Sequence, residues 1–298
     1  LATMIDFFLD AFGSQITRRA LLGGLLAATM TSLIGTWVVI RGLAFFGDAM
    51  AHGVLPGIAL AVVWGFNLTL GAAASAIVMV LGINLVHRTT KLSDDTGIGL
   101  LFVGMLALGV VIISRQNSFA GDLNGFLFGD VLGVRRGELV LGTIALVITV
   151  VGVVVGHRPF LALSIDADKA ATLGLRPGFA HIAMLILLSL TVVASFRVVG
   201  TLLVFGFLVA PPATAVLLVR RVPVAMVVAV VFGWLAVVLG LAVSYHADTA
   251  ASATVAGVAV GQFFVVLAAT ELLGFMQGHR RRNNSGHPDD AATSAAAV

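Results

Sequence analysis

Cysteine is absent from all 298 residues, which excludes disulfides, thiolate metal sites and thiol redox chemistry together. Charge is nearly as scarce. Asp, Glu, Lys and Arg supply 10% of the chain and hydrophobic residues 59%, where a soluble domain carries roughly 25% charge. With a mean hydropathy of +1.10, such a chain is a polytopic membrane protein in contact with the lipid bilayer. Nucleotide-binding and hydrolytic signatures are missing too. No Gly-x-x-x-x-Gly-Lys-[Ser/Thr] phosphate loop occurs, so the chain does not bind ATP by that route. There is no His-Glu-x-x-His and no Gly-x-Ser-x-Gly elbow, which leaves an intramembrane enzyme as a weak reading. The net charge of +3 comes from loop Arg and Lys that set topology and does not suggest nucleic acid.

What is present is a series of hydrophobic runs long enough to cross a bilayer. They fall near 20–40, 43–66, 68–87, 97–114, 138–156, 179–196, 198–219, 222–245 and 252–275. The expected fold is an all-α bundle of about 8–9 transmembrane helices in one domain, residues 20–276. Residues 1–19 read as an interfacial amphipathic segment and 277–298 as a disordered cytosolic tail. With the C-terminus inside, 11 of the 17 basic residues lie on the cytosolic side and 6 outside, as the positive-inside rule favours. Nine crossings then place the N-terminus outside.

Three connections stand out. In His87–Asp95, Ser93 or Asp94 is placed to cap the next helix. Residues 115–137 contain an apolar piece, Phe126–Asp130, that reads as a short surface or re-entrant helix. The longest inner loop, 157–178, holds a two-turn helical stretch after Asp166 that ends at Gly174. A short helix in a cytosolic loop offers a docking surface.

The chemistry concentrates in Phe46-Gly-Asp-Ala-Met-Ala-His-Gly-Val-Leu-Pro-Gly57. Asp48 and His52 are four residues apart, on one helical face and about 6 Å apart along the axis. Ionisable groups at bilayer depth cost roughly 2.5–3.5 kcal/mol each, so they read as functional by default. The bland alternative is a polar pair satisfied by neighbouring helices, or a cap at the start of the second span. Carboxylate oxygen and imidazole nitrogen suit Mn²⁺, Zn²⁺ or Fe²⁺. Two ligands are too few for a tight site, which is acceptable in a pathway that ions must leave; two copies on a twofold axis would supply four. Met50 lies between the pair in sequence but on another face, where packing is its expected role.

Pro56 and Gly57, one turn on, would loosen the helix as a kink or gate. Pro211 and Pro212 are expected to break the seventh span and free backbone carbonyls for the inner pathway. His246 and Asp248, in Ser244–Thr249, are either a solvated loop or an outer vestibule that receives metal. His181, at the inner start of a span, reads as an interfacial histidine.

In combination these pieces resemble the membrane permease of ABC-type zinc and manganese importers, from about Ala20 to Phe275. The resemblance is carried by Arg41–Gly57, Leu92-Ser-Asp-Asp-Thr-Gly-Ile-Gly99 and Leu127-Phe-Gly-Asp130. Further matches are the loop Ile165-Asp166…Ala171-Thr-Leu-Gly174, and Val199-Gly-Thr-Leu-Leu203 leading to Ala210-Pro-Pro-Ala-Thr-Ala215. It implies a permease subunit in a bacterial plasma membrane that is not itself an enzyme. Its partners would be a second permease copy, a cytosolic ATPase that binds the ATP, and an extracytoplasmic metal-binding protein. It also implies that Asp48 and His52 line the translocation path. The coupling helix falls on Ile165, Asp166, Asp168, Ala171, Leu173 and Gly174. No cofactor is held permanently; Mn²⁺ or Zn²⁺ is the cargo, and His-x-x-Leu-Pro-Gly leans toward manganese. One departure is Asp248-Thr-Ala-Ala-Ser252, where the family commonly has Asp-x-Pro-[Ser/Thr]-Gly, which leaves the geometry and roles of that loop open. The rival readings are a proton-coupled metal transporter, an ABC importer of a metal chelate, and a membrane scaffold without transport.

Overall fold

The structure is a computed structural model that describes residues 13–114, 134–165 and 177–284. Among the described residues nine helices follow in order: α1 Gln15–Ile40, α2 Ala44–Gly53, α3 Leu55–Trp64, α4 Leu68–Thr89, α5 Asp94–Ile113, α6 Arg136–Ile165, α7 Pro177–Leu218, α8 Val222–Ala247 and α9 Ala251–Asn284. Eight candidate spans result, with α2 and α3 together forming one, and Leu203–Leu218 adds a shorter apolar helix. The expected helical membrane bundle is what folds.

Local chemistry sets several starts. The side chains of Ser14, Asn67 and Ser93 accept the backbone N–H of Thr17, Thr69 and Thr96, which satisfies donors that a helix N-terminus leaves open. Capping by Ser14 starts α1 at Gln15, so residues 15–19 are continuous with the helix of the first candidate span. Inside the bundle, the hydroxyls of Thr31, Thr36, Ser189, Thr191 and Thr214 each donate to the carbonyl four residues back. These five hydroxyls therefore stay bonded where no water reaches.

α7 is the central element, packed most extensively against α1 and also against α2, α4, α6, α8 and α9. It does not break at the two prolines. Residues 203–218 run as continuous helix through Pro211 and Pro212, and the interruption lies at Gly200, with φ 78° and ψ 163°. Those angles are essentially open to glycine alone. The prolines still remove two N–H donors, to the carbonyls of Phe207 and Leu208. The Leu208 carbonyl does not line an open path, because Gly35 of α1 is seated against it so closely that a Cβ there would collide.

Two further boundaries differ from expectation. α6 continues through His157 and Pro159 to Ile165, so the first part of the expected loop 157–178 is helix. The rings of His157 and Phe160 pack on Trp37 of α1 at 5.5 and 5.8 Å, and burial of Phe160 and Leu163 anchors this last stretch. At about 45 Å for its 30 residues, α6 exceeds the ~30 Å hydrocarbon layer. α9 likewise runs to Asn284, eight residues into the expected disordered tail. The apolar piece Phe126–Asp130 lies outside the described residues.

Gly200→Ala is expected to cost about 1–3 kcal/mol by forcing a side chain into that backbone region. Gly35→Ala is expected to cost a similar ~1–3 kcal/mol by overpacking against Leu208. Thermal unfolding of the purified protein in detergent reads both, with Gly104→Ala as the control, since a Cβ there meets nothing within 4 Å.

Candidate metal pathway

α2 starts just after Gly42, whose φ of +68° turns the chain out of α1. Asp48 and His52 then fall one turn apart on α2, with Oδ1 and Nε2 3.7 Å apart. Their side chains are 33% and 25% exposed respectively, while Phe46, Gly47, Ala49, Met50, Ala51 and Gly53 of the same helix are buried. The helix thus has an apolar back and an ionisable front.

The back is held from several sides. Gly47 sits against the Leu208 side chain, and Gly53 against Met79 of α4. The Ser75 hydroxyl donates to the Gly53 carbonyl at 2.8 Å, and the Ser189 hydroxyl lies 3.9 Å from the Met50 sulfur. Met50 is fully buried and packs. On the front, the His52 ring meets Phe102 of α5 edge-on at 5.7 Å, and Phe45 meets the same ring at 5.8 Å. These aromatics limit where the imidazole can turn.

Immediately beyond His52 the helical ladder is interrupted. Pro56 has no N–H for the His52 carbonyl four residues back, and α2 gives way at Val54 to α3, with Pro56 in its first turn. Gly57 is buried and lies backbone-to-backbone against Gly71 of α4.

Two other predicted residues lie on a different helix from this pair. His246 and Asp248 are exposed at the end of α8, which packs on α1, α7 and α9. Without Pro or Gly, that turn closes on Asp248 itself in the left-handed region (φ 48°). Its N–H and that of Thr249 return to the Ser244 carbonyl, and the Ser244 hydroxyl donates to the Thr249 carbonyl at 2.6 Å. Of the coupling residues, Ile165 ends α6; Asp166, Asp168, Ala171, Leu173 and Gly174 lie outside the described residues. Among the described residues no three His, Asp or Glu side chains gather to hold a metal.

Sequence reasoning missed two features. Phe102 is one of 19 phenylalanines, and nothing local marks it as the neighbour of His52. His181 is 9% exposed, receives Arg41 at 3.2 Å through Nδ1 and stacks on His87 at 5.5 Å, a meeting of three helices with no local signal.

The sequence pattern of the ABC 3 transport family matches residues 14–270. The chain belongs to that family. It is 33% identical to the manganese transport system membrane protein MntC of Listeria monocytogenes, over 89% of this chain and 94% of that protein. It is 32% identical to the chelated iron transport system membrane protein YfeD of Yersinia pestis, over 86% of each. Among solved structures, PsaBC from Streptococcus pneumoniae in complex with Fab superposes with a TM-score of 0.78 at 27% identity, covering 88% of this chain and 95% of that one. As a family member the protein is the multi-pass permease subunit of an ABC transporter in a bacterial plasma membrane, and not its ATPase.

Ser75→Ala leaves the Gly53 carbonyl without its interhelical donor. It is expected to lower stability by about 1 kcal/mol, read as a lower unfolding temperature in detergent, while both ionisable groups stay in place.

Proposed function

We propose that this permease moves Mn²⁺ inward, along a path on which Asp48 and His52 are transient ligands. The observation that carries the reading is the Asp48–His52 pair, on one helical turn within a span and on the less buried side of an otherwise buried helix. A carboxylate and an imidazole suit a borderline divalent ion, and a chain without cysteine has no thiolate to favour a soft one. Relatives named for manganese transport support the same cargo.

One chain presents half a coordination shell. A carboxylate left against lipid is costly, so a second copy of the chain covers this face and brings the opposing pair, giving two carboxylates and two imidazoles around the path. An extracytoplasmic binding protein delivers the ion near His246 and Asp248, which lie at the outer end of α8. A cytosolic ATPase docks at Ile165–Gly174 and drives alternating access. The interruption at Val54, next to His52, lets the inner and outer halves of this span move separately around the ligand pair, with Pro56 and Gly57 as its gate.

A second reading is favoured by the relative named for chelated iron. An importer of a chelate needs a wider path and no direct ligand from the protein, so its uptake would survive Asp48→Ala.

Uptake of radiolabelled Mn²⁺, Zn²⁺ and an iron chelate in cells carrying the whole system separates these readings. Asp48→Ala and His52→Ala are each expected to lower Mn²⁺ uptake at least about tenfold, a loss that even outer partners of metal ligands produce. Normal uptake by both variants, with the protein present in the membrane, would make the pair structural. The chain is free of cysteine, so Phe45→Cys, 40% exposed beside Asp48, reports on the second copy. Oxidation is expected to yield a crosslinked dimer; a monomer would remove the facing-pair geometry.

A further inference from the structure

Between α4 and α7 runs a groove of about 440 Å³, walled by Ala73, Ile77 and Leu81 on one side and Ile182, Ile186 and Leu190 on the other. Its lining is apolar throughout, apart from Ser189 at its floor, whose hydroxyl is taken by the Leu185 carbonyl. Ile77, Leu81 and Ile186 are each more than half exposed, so the groove is open to the side. The stretch of α7 that lines it, Ile182 to Val193, is about 16 Å long. That is close to half of the ~30 Å hydrocarbon layer, the depth of one leaflet.

One end of this groove is basic. His181 precedes Ile182, and its ring stacks on His87 and receives the Arg41 guanidinium. Arg88 and Lys91, both exposed, follow His87 at the same end. This is the end that the distribution of Arg and Lys assigns to the cytosol. A leaflet-deep apolar slot capped by cations matches an amphiphile with a fatty chain and an anionic head.

We infer that the α4–α7 groove is a binding site for an anionic phospholipid of the inner leaflet, with one acyl chain in the slot and the phosphate at Arg41, His87 and His181. Basic pockets between spanning helices on the cytosolic side are where anionic headgroups bind. Arg41 supplies a permanent charge and a planar fork of donors that fits a phosphate. A second copy of the chain is the less fitting occupant, because the groove floor touches α2 from behind. Ser189 reaches Met50 there, on the face opposite Asp48 and His52. Seating a lipid in this slot would steady α7 against α4 and, through Ser189 and Met50, the back of α2.

The test titrates the purified full-length protein in detergent with phosphatidylglycerol or phosphatidylcholine and follows retained lipid by native mass spectrometry. Wild type is expected to retain phosphatidylglycerol in preference to phosphatidylcholine. Arg41→Gln should weaken phosphatidylglycerol binding about fivefold, as the loss of one interfacial cation implies. Ala73→Phe should block the slot and abolish retention, and Ile186→Trp, at a position already facing outward, provides the same block if Ala73→Phe does not fold. Equal retention of both lipids, or unchanged binding in Arg41→Gln and in a folded slot-blocking variant, overturns the proposal. A slot-blocking variant that dissociates a dimer while binding phosphatidylglycerol normally also overturns it, and gives the groove to a second copy.

Discussion

The arrangement depends on the seat around Leu208. Pro212 cannot donate to the Leu208 carbonyl, and in a membrane a freed carbonyl must be met by a neighbour. Gly35, with no side chain, packs directly against it, which lets α1 approach the backbone of α7 closely at this point. The side chain of the same leucine fills the space left by Gly47 on α2. One residue therefore sets α1 on α7 by its backbone and α2 on α7 by its side chain. Gly47 directly precedes Asp48, so this contact sets where the backbone of the first candidate ligand lies.

Small residues repeat this role elsewhere. Gly57 and Gly71 bring α3 onto α4, and the hydroxyl of Ser75 ties α4 to the end of α2. Dispersion and backbone contact replace the hydrophobic effect between helices in lipid. This is why the helix that carries an aspartate and a histidine is lined, on its buried side, mostly with glycine and alanine, beside Phe46 and Met50.

Much of this was legible in the sequence, for reasons that differ by level. Spanning helices follow from length and hydropathy, because the bilayer imposes both. The Asp48–His52 pairing follows from helical geometry alone, since four residues are enough to define it. Helix interruptions are less legible. Pro211 and Pro212 carry the stronger local signal, but the neighbouring α1 accommodates their effect, and Gly200, with no local mark beyond being glycine, takes the break. The inner end of α6 was hidden similarly: His157 and Pro159 read as a loop until Trp37 of another helix is placed beside them. Phe102 and the meeting of Arg41, His87 and His181 are long-range contacts, and nothing in a single segment encodes them.

Because Asp48 and His52 share one turn of a helix that is clamped along its back, their bite is set by the backbone. The backbone positions of the two residues cannot separate without unwinding α2, and the aromatic ring of Phe102 packs edge-on against the imidazole. Such a jaw cannot open and close on an ion by itself. In the proposed pathway, the grip on a passing cation would be tuned by the distance to whatever completes the coordination shell, so affinity would become a function of rigid-body separation. The difference between holding and releasing the ion would then be a mechanical quantity, measured in ångströms between facing helices.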